Sequence, residues 1–524
     1  MSRADVWIRG ATVFDGVSSE PKSVAVAITG DRIAFVGSEP ASANATEVVE
    51  ADGLILCPGF IDSHASTGLG YTLPRAADNK LFQGVTTELV GNCGTSTAPI
   101  GPLLASTMEE LSDQIGFEFD WRGLGEWIGR VEDFGLQFNS GTLVGHSTLR
   151  GGHCKDPREV GEAEVSRMVG SLDRAMSEGA LGLSSGLVYA PGSFADTDEL
   201  ARLAAVAGRH GGCYVSHIRN ERESVEAAVD EAIEIGLRGN LPALVSHLKV
   251  AERPNWGKMP GLIQRIESAR ERGQTVSFDV YPYAAVSTKL RTFLPKAIMD
   301  AGLRGLEERL GQAEWLERSH AWLLERDTDF SSMVLITESL PGTSKRSIEE
   351  VAGDYGRAPE RMLTDVLAAD LDAWIVYHCI DEADMDLAIL WPDSMICSDS
   401  WSYPVNAPRQ IGDPHPRTFG AFTRFLERYA LTGKIPFGEA VRKVTSLPAA
   451  WFGLEGRGAI AEGAYADLVL LDPDRLAEKA TYEDPRQMSE GCERVWVNGA
   501  LVLADGAVLD ATPGRFLRRR QDGD

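Results

Sequence analysis

Eight apolar runs in the middle of the chain end in side chains able to bind a metal ion or move a proton. The first ends in Asp62 and His64, the second in Cys93 within "GNCG", the third in His146 and Arg150. The fourth ends in Ser184, Ser185 and Tyr189, the fifth in His217 and Arg219, the sixth in His247 and Lys249. The seventh ends in Asp279, Tyr281 and Tyr283, the last in Asp399. One histidine at such a place is more often a hydrogen-bonded core residue than a ligand. Four of the chain's nine histidines at run ends, with a thiol and a carboxylate, are a donor set for a divalent ion. No role is assignable to His146, His153 or His378.

The stretch "ILCPGFIDSHAS", residues 55–66, bears on how many ions. A second histidine two residues after His64 would complete a His-x-His pair, but Ser66 stands there. A neutral hydroxyl is a poor zinc ligand beside imidazole. The expected site is therefore one intact metal position beside a damaged one.

Those residues need elements that bring them to one place. Candidate strands lie at 54–61, 85–90, 142–146, 180–184, 213–217, 243–247, 275–280 and 394–398, with helical stretches such as "ESVEAAVDEAIEIG" between them. Repeated strand–helix units imply a parallel sheet, and about eight imply a closed (β/α)8, TIM-like barrel, whose reactive groups gather at the C-terminal strand ends. Apolar runs at 332–337 and 373–378 exceed eight and fall in a long segment, about 284–390, read as an insertion over the mouth. Both ends of the chain alternate in short runs broken by Asp-Gly and Asn-Gly turns, which predicts one small β-sandwich built from both termini. The expected division is sandwich 1–56, barrel 57–445 and sandwich 446–524.

Net charge of −26 argues against nucleic acid as partner, because phosphate binding needs clustered cations. The basic tail "RFLRRR" at 515–520 is too short to reverse this and reads as a solvated end. No apolar run is long enough to cross a bilayer, and "MSRADVWIRG" has no signal-peptide apolar region, so a cytoplasmic location without a membrane partner is expected. The seven cysteines show no C-x-x-C pair and read as mostly buried thiols.

The chain resembles the N-acyl-D-amino-acid deacylases (D-aminoacylases) of the amidohydrolase superfamily. The resemblance runs nearly end to end through "DGLILCPGFIDSH", "GVTTELVGNCGTSTAPIG", "LGLSSGLVYAPGSFADTDEL", "SHIRNE", "SHLKVA", "DVYPY", "DPHPRTFGAFTRFLERY", "AVRKVTSLPAAWFGL" and "GRGAIAEGAYADLVLLDP". It implies a tightly held Zn2+ on Cys93, His217 and His247, with His64 as a weak ligand of a second position. It implies Asp399 as general base beside the metal, and Lys249 as a substrate contact. In the family a glycine often follows this aspartate; here Ser400 and Trp401 do, which reshapes the pocket. Arg219 is a second expected anchor for a substrate carboxylate, and Tyr189, Tyr283 and Ser66 are expected substrate contacts.

The function this supports is zinc-dependent hydrolysis of a C–N amide bond in a small carboxylate-bearing substrate, by a mononuclear site. One rival keeps the scaffold and metal but changes the reaction to cyclic amide hydrolysis or a lyase-type, retro-aldol cleavage. Another is a non-catalytic scaffold relative, against which the presence of Cys93 and Asp399 argues.

Overall fold

Strand–helix alternation in the middle of the chain closes a parallel barrel. Its strands are β1 (Phe60–Asp62), β2 (Val85–Val90), β3 (Asn139–Thr142, continued by Val144–Gly145), β4 (Gly182–Gly186), β5 (Cys213–His217), β6 (Ala243–Val245), β7 (Val276–Val280) and β8 (Met395–Ile396). Neighbours pair in parallel around the ring. The seam between β8 and β1 is joined where the Ser66 amide donates to the Ser400 carbonyl at 3.0 Å and the Ser398 amide donates to Asp62. A computed structural model describes residues 3–519 except 40–43, 67, 69–70, 72–74, 76, 105–118, 157, 300–301, 327, 338 and 406–414. Arg520 of the basic tail and Asp413–Pro414 of the "DPHP" motif lie outside the described residues.

The barrel is filled, not hollow. Ile61, Leu89, Leu143, Leu181, Val215, Leu244 and Met395, all from its strands or their flanks, form one buried cluster with Phe452 and Leu454. Each such side chain contributes about 1.5–3 kcal/mol by leaving water. The helix Ser446–Phe452 therefore packs with the barrel interior, so the barrel's packing extends past residue 445. Outside, the helix Val225–Gly239 buries Val225, Ala228, Val229, Ala232, Ile233 and Gly236, a stripe at helical spacing. Asn240 then ends it in the left-handed region at φ +51°.

Both chain ends build the sandwich. One sheet has the strands Ala4–Arg9, Ala25–Thr29, Arg32–Gly37 and Ala45–Glu50; the other joins Thr12–Val13 and Ile55–Pro58 to Leu468–Leu471 and the C-terminal strands. Val6, Ile8, Val26 and Ile28 face Leu56, Leu468, Leu470 and Trp496 across the layer. The run expected as one strand at 54–61 is thus two: Ile55–Pro58 belongs to the sandwich, and Phe60 opens the barrel. The reason is Gly59, where a Cβ would lie 2.2 Å from Thr86 Oγ1. The basic tail is not a free end. Arg515 pairs with Asp31, Arg518 with Glu132, and Phe516 is buried.

Residues 284–390 carry a three-stranded antiparallel sheet, Val286–Lys289, Trp374–Tyr377 and Met333–Ile336 in spatial order, with helices around it. Among the described residues no helix is long and apolar enough to cross a membrane.

His146 has a structural place. Its Nε2 lies 2.7 Å from Glu199 Oε1, and Arg150 donates to the same carboxylate at 2.5 Å, all three buried. Burial pushes the Glu199 carboxyl up, but His146 and Arg150 outweigh it and hold it below its ordinary value. Glu199→Gln is expected to cost about 3 kcal/mol, because it leaves Arg150 buried without a counter-charge. A carboxylate with a depressed folded value stabilises fully above its unfolded value and loses that contribution as pH falls through the folded one. The Tm gap between the parent and E199Q should therefore narrow below about pH 4.3.

Candidate active site

Of the residues expected at the strand ends, His64, Cys93, His217, His247 and Asp399 converge at the C-terminal mouth of the barrel. Cys93 Sγ lies 3.6 Å from His217 Nδ1 and 3.4 Å from His247 Nε2. Two imidazole nitrogens and a thiolate bound tetrahedrally to one zinc would put N and S roughly 3.6 Å apart, given Zn–N and Zn–S lengths of about 2.0–2.1 and 2.3 Å. Both sulfur–nitrogen distances match that spacing.

The local backbone is bent to achieve this. Cys93, His247 and Asp399 all adopt positive φ, +50°, +35° and +46°, among nine such non-glycine residues described. Left-handed backbone at such residues costs roughly 1–3 kcal/mol each and persists where the surroundings impose it. Around Cys93 the surroundings are backbone. A Cβ at Gly91 would lie 2.2 Å from the Leu143 carbonyl, and one at Gly94 would lie 2.6 Å from the Gly186 amide. The glycines of "GNCG" let β2 end close against the neighbouring strands, which brings the thiol inward.

Acidic residues orient the rings. Glu221 Oε1 is 3.3 Å from His247 Nδ1 and 3.5 Å from His217 Nε2. Glu221 thus stands beside His247 Nδ1, while His247 Nε2 faces Cys93 Sγ at 3.4 Å, a carboxylate behind the ring as is usual at metal-binding histidines. Asp279 at the end of β7 accepts from the His247 amide and lies 3.6 Å from His64 Nδ1. Burial holds His217 near a pKa of about 4, so the imidazole is neutral and able to ligate. Burial raises the Cys93 thiol, but His64 and His247 overcome it and bring it to about 7. Thiolate is thus accessible at neutral pH.

A second donor set shares Cys93 and His247 with the first. His64 Nε2 lies 3.3 Å from Cys93 Sγ and 3.6 Å from Asp399 Oδ1. His64, Cys93, His247 and Asp399 place ligand atoms within 4.8 Å of one another. Ser66 lines the same cavity but brings no strong donor. The other oxygen of Asp399 pairs with Arg417 at 2.8 Å. Burial works against ionisation of Asp399, but Arg417, His247 and His64 prevail, and its pKa falls well below the carboxylate range.

The mouth opens into a cavity of about 340 Å³, within the range of small-molecule sites. Cys93, His217, His247, Asp399, Lys249, Tyr189 and Ser66 line it; His64 sits in the wall behind. Lys249 donates to Glu221 at 2.6 Å and lies 2.8 Å from His247 Nδ1. Tyr189 stands edge-on to His217, ring centroids 5.1 Å apart.

Two expected contacts are corrected. Arg219 reaches the cavity rim, but its guanidinium is bidentate to Glu231 at 2.9 Å and also donates to the carbonyls of Ser193 and Ala195. It braces the loop after β5 and is no free anchor; its acid is Glu231, while Glu221 serves the histidines. Tyr283 is absent from the cavity lining and donates its hydroxyl to Glu478 at 2.5 Å. The Tyr283 amide donates to the Tyr281 carbonyl, a tight i→i+2 turn around Pro282. Tyr281 is the tyrosine of this loop that lines the cavity, under Arg417 (4.6 Å to the ring centroid) and near Lys249 (5.6 Å).

Sequence reasoning missed Arg417 and Glu221 as members of the site. Arg417 follows β8 across a connection of irregular length, so spacing gave no pointer to Asp399. Glu221 could have been found, since it stands four residues after His217 in "SHIRNE".

Comparison with known proteins bears on this geometry. The sequence model of the Amidohydrolase family matches residues 407–503. The chain is 33% identical to the D-aminoacylase of Alcaligenes xylosoxydans xylosoxydans over 98% of each chain. Its fold is similar, at a TM-score of 0.83 and 31% identity, to N-acyl-D-glutamate deacylase from Bordetella bronchiseptica complexed with zinc and a phosphonate mimic of the tetrahedral intermediate; 99% of this chain and 100% of that one are covered. It is equally similar, at 0.82 and 32% over 98% and 100% of the two chains, to a D-aminoacylase whose binuclear metal center was described as one-metal activation and second-metal attenuation.

Proposed function

The chain belongs to the N-acyl-D-amino-acid deacylase group of the amidohydrolases, metal-dependent enzymes acting on C–N bonds other than peptide bonds, and on that premise we propose that it deacylates N-acyl-D-amino acids with a single tightly bound zinc. The observation that carries this is the approach of His217 Nδ1 and His247 Nε2 to Cys93 Sγ at zinc-ligand spacing, with Asp399 clustered with Cys93, His247 and His64.

Cys93, His217 and His247 would hold the ion, leaving a fourth position open. Bound there, zinc supplies Lewis acidity: it polarises a carbonyl and makes water a nucleophile near neutral pH. Asp399, ionised and anchored by Arg417, accepts the proton of the attacking water on Oδ1 and returns it to the leaving amine. Glu221 and Asp279 hold the two histidine-bearing loops in register. Tyr189 keeps its proton, because burial and nearby Cys93 raise its pKa, and can donate to the carbonyl oxygen as it gains charge. Lys249 and Arg417 flank Tyr281 and, unlike Arg219, use only part of their donors on their acids, Glu221 and Asp399, so both can share the remainder with the substrate's α-carboxylate.

Zinc-loaded protein incubated with paired N-acetyl-D- and N-acetyl-L-amino acids should release free amine from the D series. Absence of release across the panel, with zinc bound, rejects deacylation.

The single-ion reading has its own test. Ser66→His restores the His-x-His pair beside Cys93 and Asp399. Elemental analysis should rise from about one zinc per chain to about two. Two equivalents already present in the parent would contradict the reading.

A further inference from the structure

Asp399 stands on left-handed backbone at φ +46°, where a residue with a Cβ is held only by its surroundings. The segment it belongs to, "SDSWS" at 398–402, carries a serine at every second position. Each hydroxyl is bonded within the barrel wall. Ser398 Oγ donates to Asp62 at 2.5 Å, Ser400 Oγ meets Thr418 Oγ1 at 2.6 Å, and Ser402 Oγ donates to Glu88 at 2.8 Å. Between these serines, Asp399 and Trp401 line the cavity.

Behind the segment lie three buried charges that the proposed reaction does not use. Lys80 Nζ is 2.6 Å from Asp62 and 3.4 Å from Glu88, and all three side chains are closed off from solvent. Lys80 also donates to Ser398 Oγ at 2.9 Å. Ions buried this deeply are costly unless their partners are fixed, which makes the cluster a stiff anchor.

Ser398 is where the anchor reaches Asp399. Its amide donates to Asp62 Oδ1 at 3.0 Å, and its Oγ accepts from the Ser400 amide at 3.2 Å. The residue before Asp399 and the amide after it are thus held by one group of atoms. Asp62 Oδ1 also accepts from the His64 amide at 3.3 Å, which ties the strand end facing Asp399 to the same acid. The Arg417 ion pair cannot set the turn by itself, because it acts on a carboxylate oxygen and leaves the backbone free.

We propose that Ser398, braced by Lys80 and Asp62, is a positioning residue that imposes the left-handed turn at Asp399 and so aims its carboxylate at the reacting water. This rests on the deacylase reading above, in which Asp399 moves the protons.

Ser398→Ala removes this hydroxyl, and Ser402→Ala removes the matching one bonded to Glu88, three residues past Asp399. Both zinc-loaded variants are assayed on the best N-acyl-D-amino acid and crystallised beside the parent. S398A should lose about 10²-fold in kcat, the effect of misplacing a reacting group by about 1 Å. Its KM and zinc content should stay near the parent's, since substrate and metal contacts are untouched. S402A should keep most of its kcat. In the crystals Asp399 should leave the left-handed region in S398A and keep it in S402A. Ser398→Cys, similar in shape but a weaker donor, should fall between S398A and the parent, and it carries the same comparison if S398A does not fold. Equal losses of kcat in the two alanine variants, or an unmoved Asp399 in the S398A crystal, overturn the inference. A parent that releases no amine from any N-acyl-D-amino acid rejects the deacylase reading instead, and the position of Asp399 in the crystals then decides the role of Ser398.

Discussion

Asp399→Asn should lower kcat/KM on the best N-acyl-D-amino acid by about 10²–10⁴-fold, the range supplied by a positioned general acid–base group. Asparagine keeps the shape of the side chain and can still accept from Arg417, but it cannot take up a proton at neutral pH. Zinc content should not fall on the proposed assignment, in which Cys93, His217 and His247 hold the ion and Asp399 Oδ1 lies 3.6 Å from His64. Measured together, activity and zinc per chain distinguish the roles: loss of both would make Asp399 a ligand of the essential ion. Retention of more than a tenth of the parental activity would show that another group moves the protons.

Cys93→Ser should do more, because it acts on the metal itself. A serine hydroxyl is neutral at pH 7 and a weak zinc donor, which leaves two imidazoles where three ligands stood. Zinc should dialyse away, and activity should fall by at least about 10³-fold, since both carbonyl polarisation and nucleophile generation go with it. The parent treated with a chelator should match the variant, and added zinc should restore the parent alone. The substituted oxygen sits on the same left-handed backbone at φ +50°, so the fold is retained and the Tm of the variant should stay near that of the zinc-free parent. Full activity of C93S with one zinc per chain would move the site elsewhere.

Both predictions concern residues legible in the sequence, and the reason they were legible is geometric. In a closed parallel barrel every strand delivers its last residues to one end, so polar side chains at run ends meet there wherever they lie in the chain. Cys93, His217, His247 and Asp399 needed only strand assignment to be gathered. The sandwich of the two termini was likewise readable, because its strands alternate and its turns are rich in Asp-Gly and Asn-Gly. The split of the 54–61 run at Gly59 was not, since strand propensity is continuous across it and the break is set by contact with Thr86.

What the chain alone determined, then, is the set of donors and the architecture that collects them: residue type at each strand end, and the period that makes the strands. Tertiary structure decided which partner each charge meets. Arg219 went to Glu231, 12 residues on; Glu221 went to His217 and His247, 4 and 26 residues away; and Arg417 went to Asp399, 18 residues back. Sequence spacing could not choose among these pairs. An ion pair is non-directional along the chain, and its partner is fixed by where loops of irregular conformation return over the barrel mouth. The turn at Pro282 made the same kind of choice between Tyr281 and Tyr283, two similar rings of which the fold admits one to the cavity.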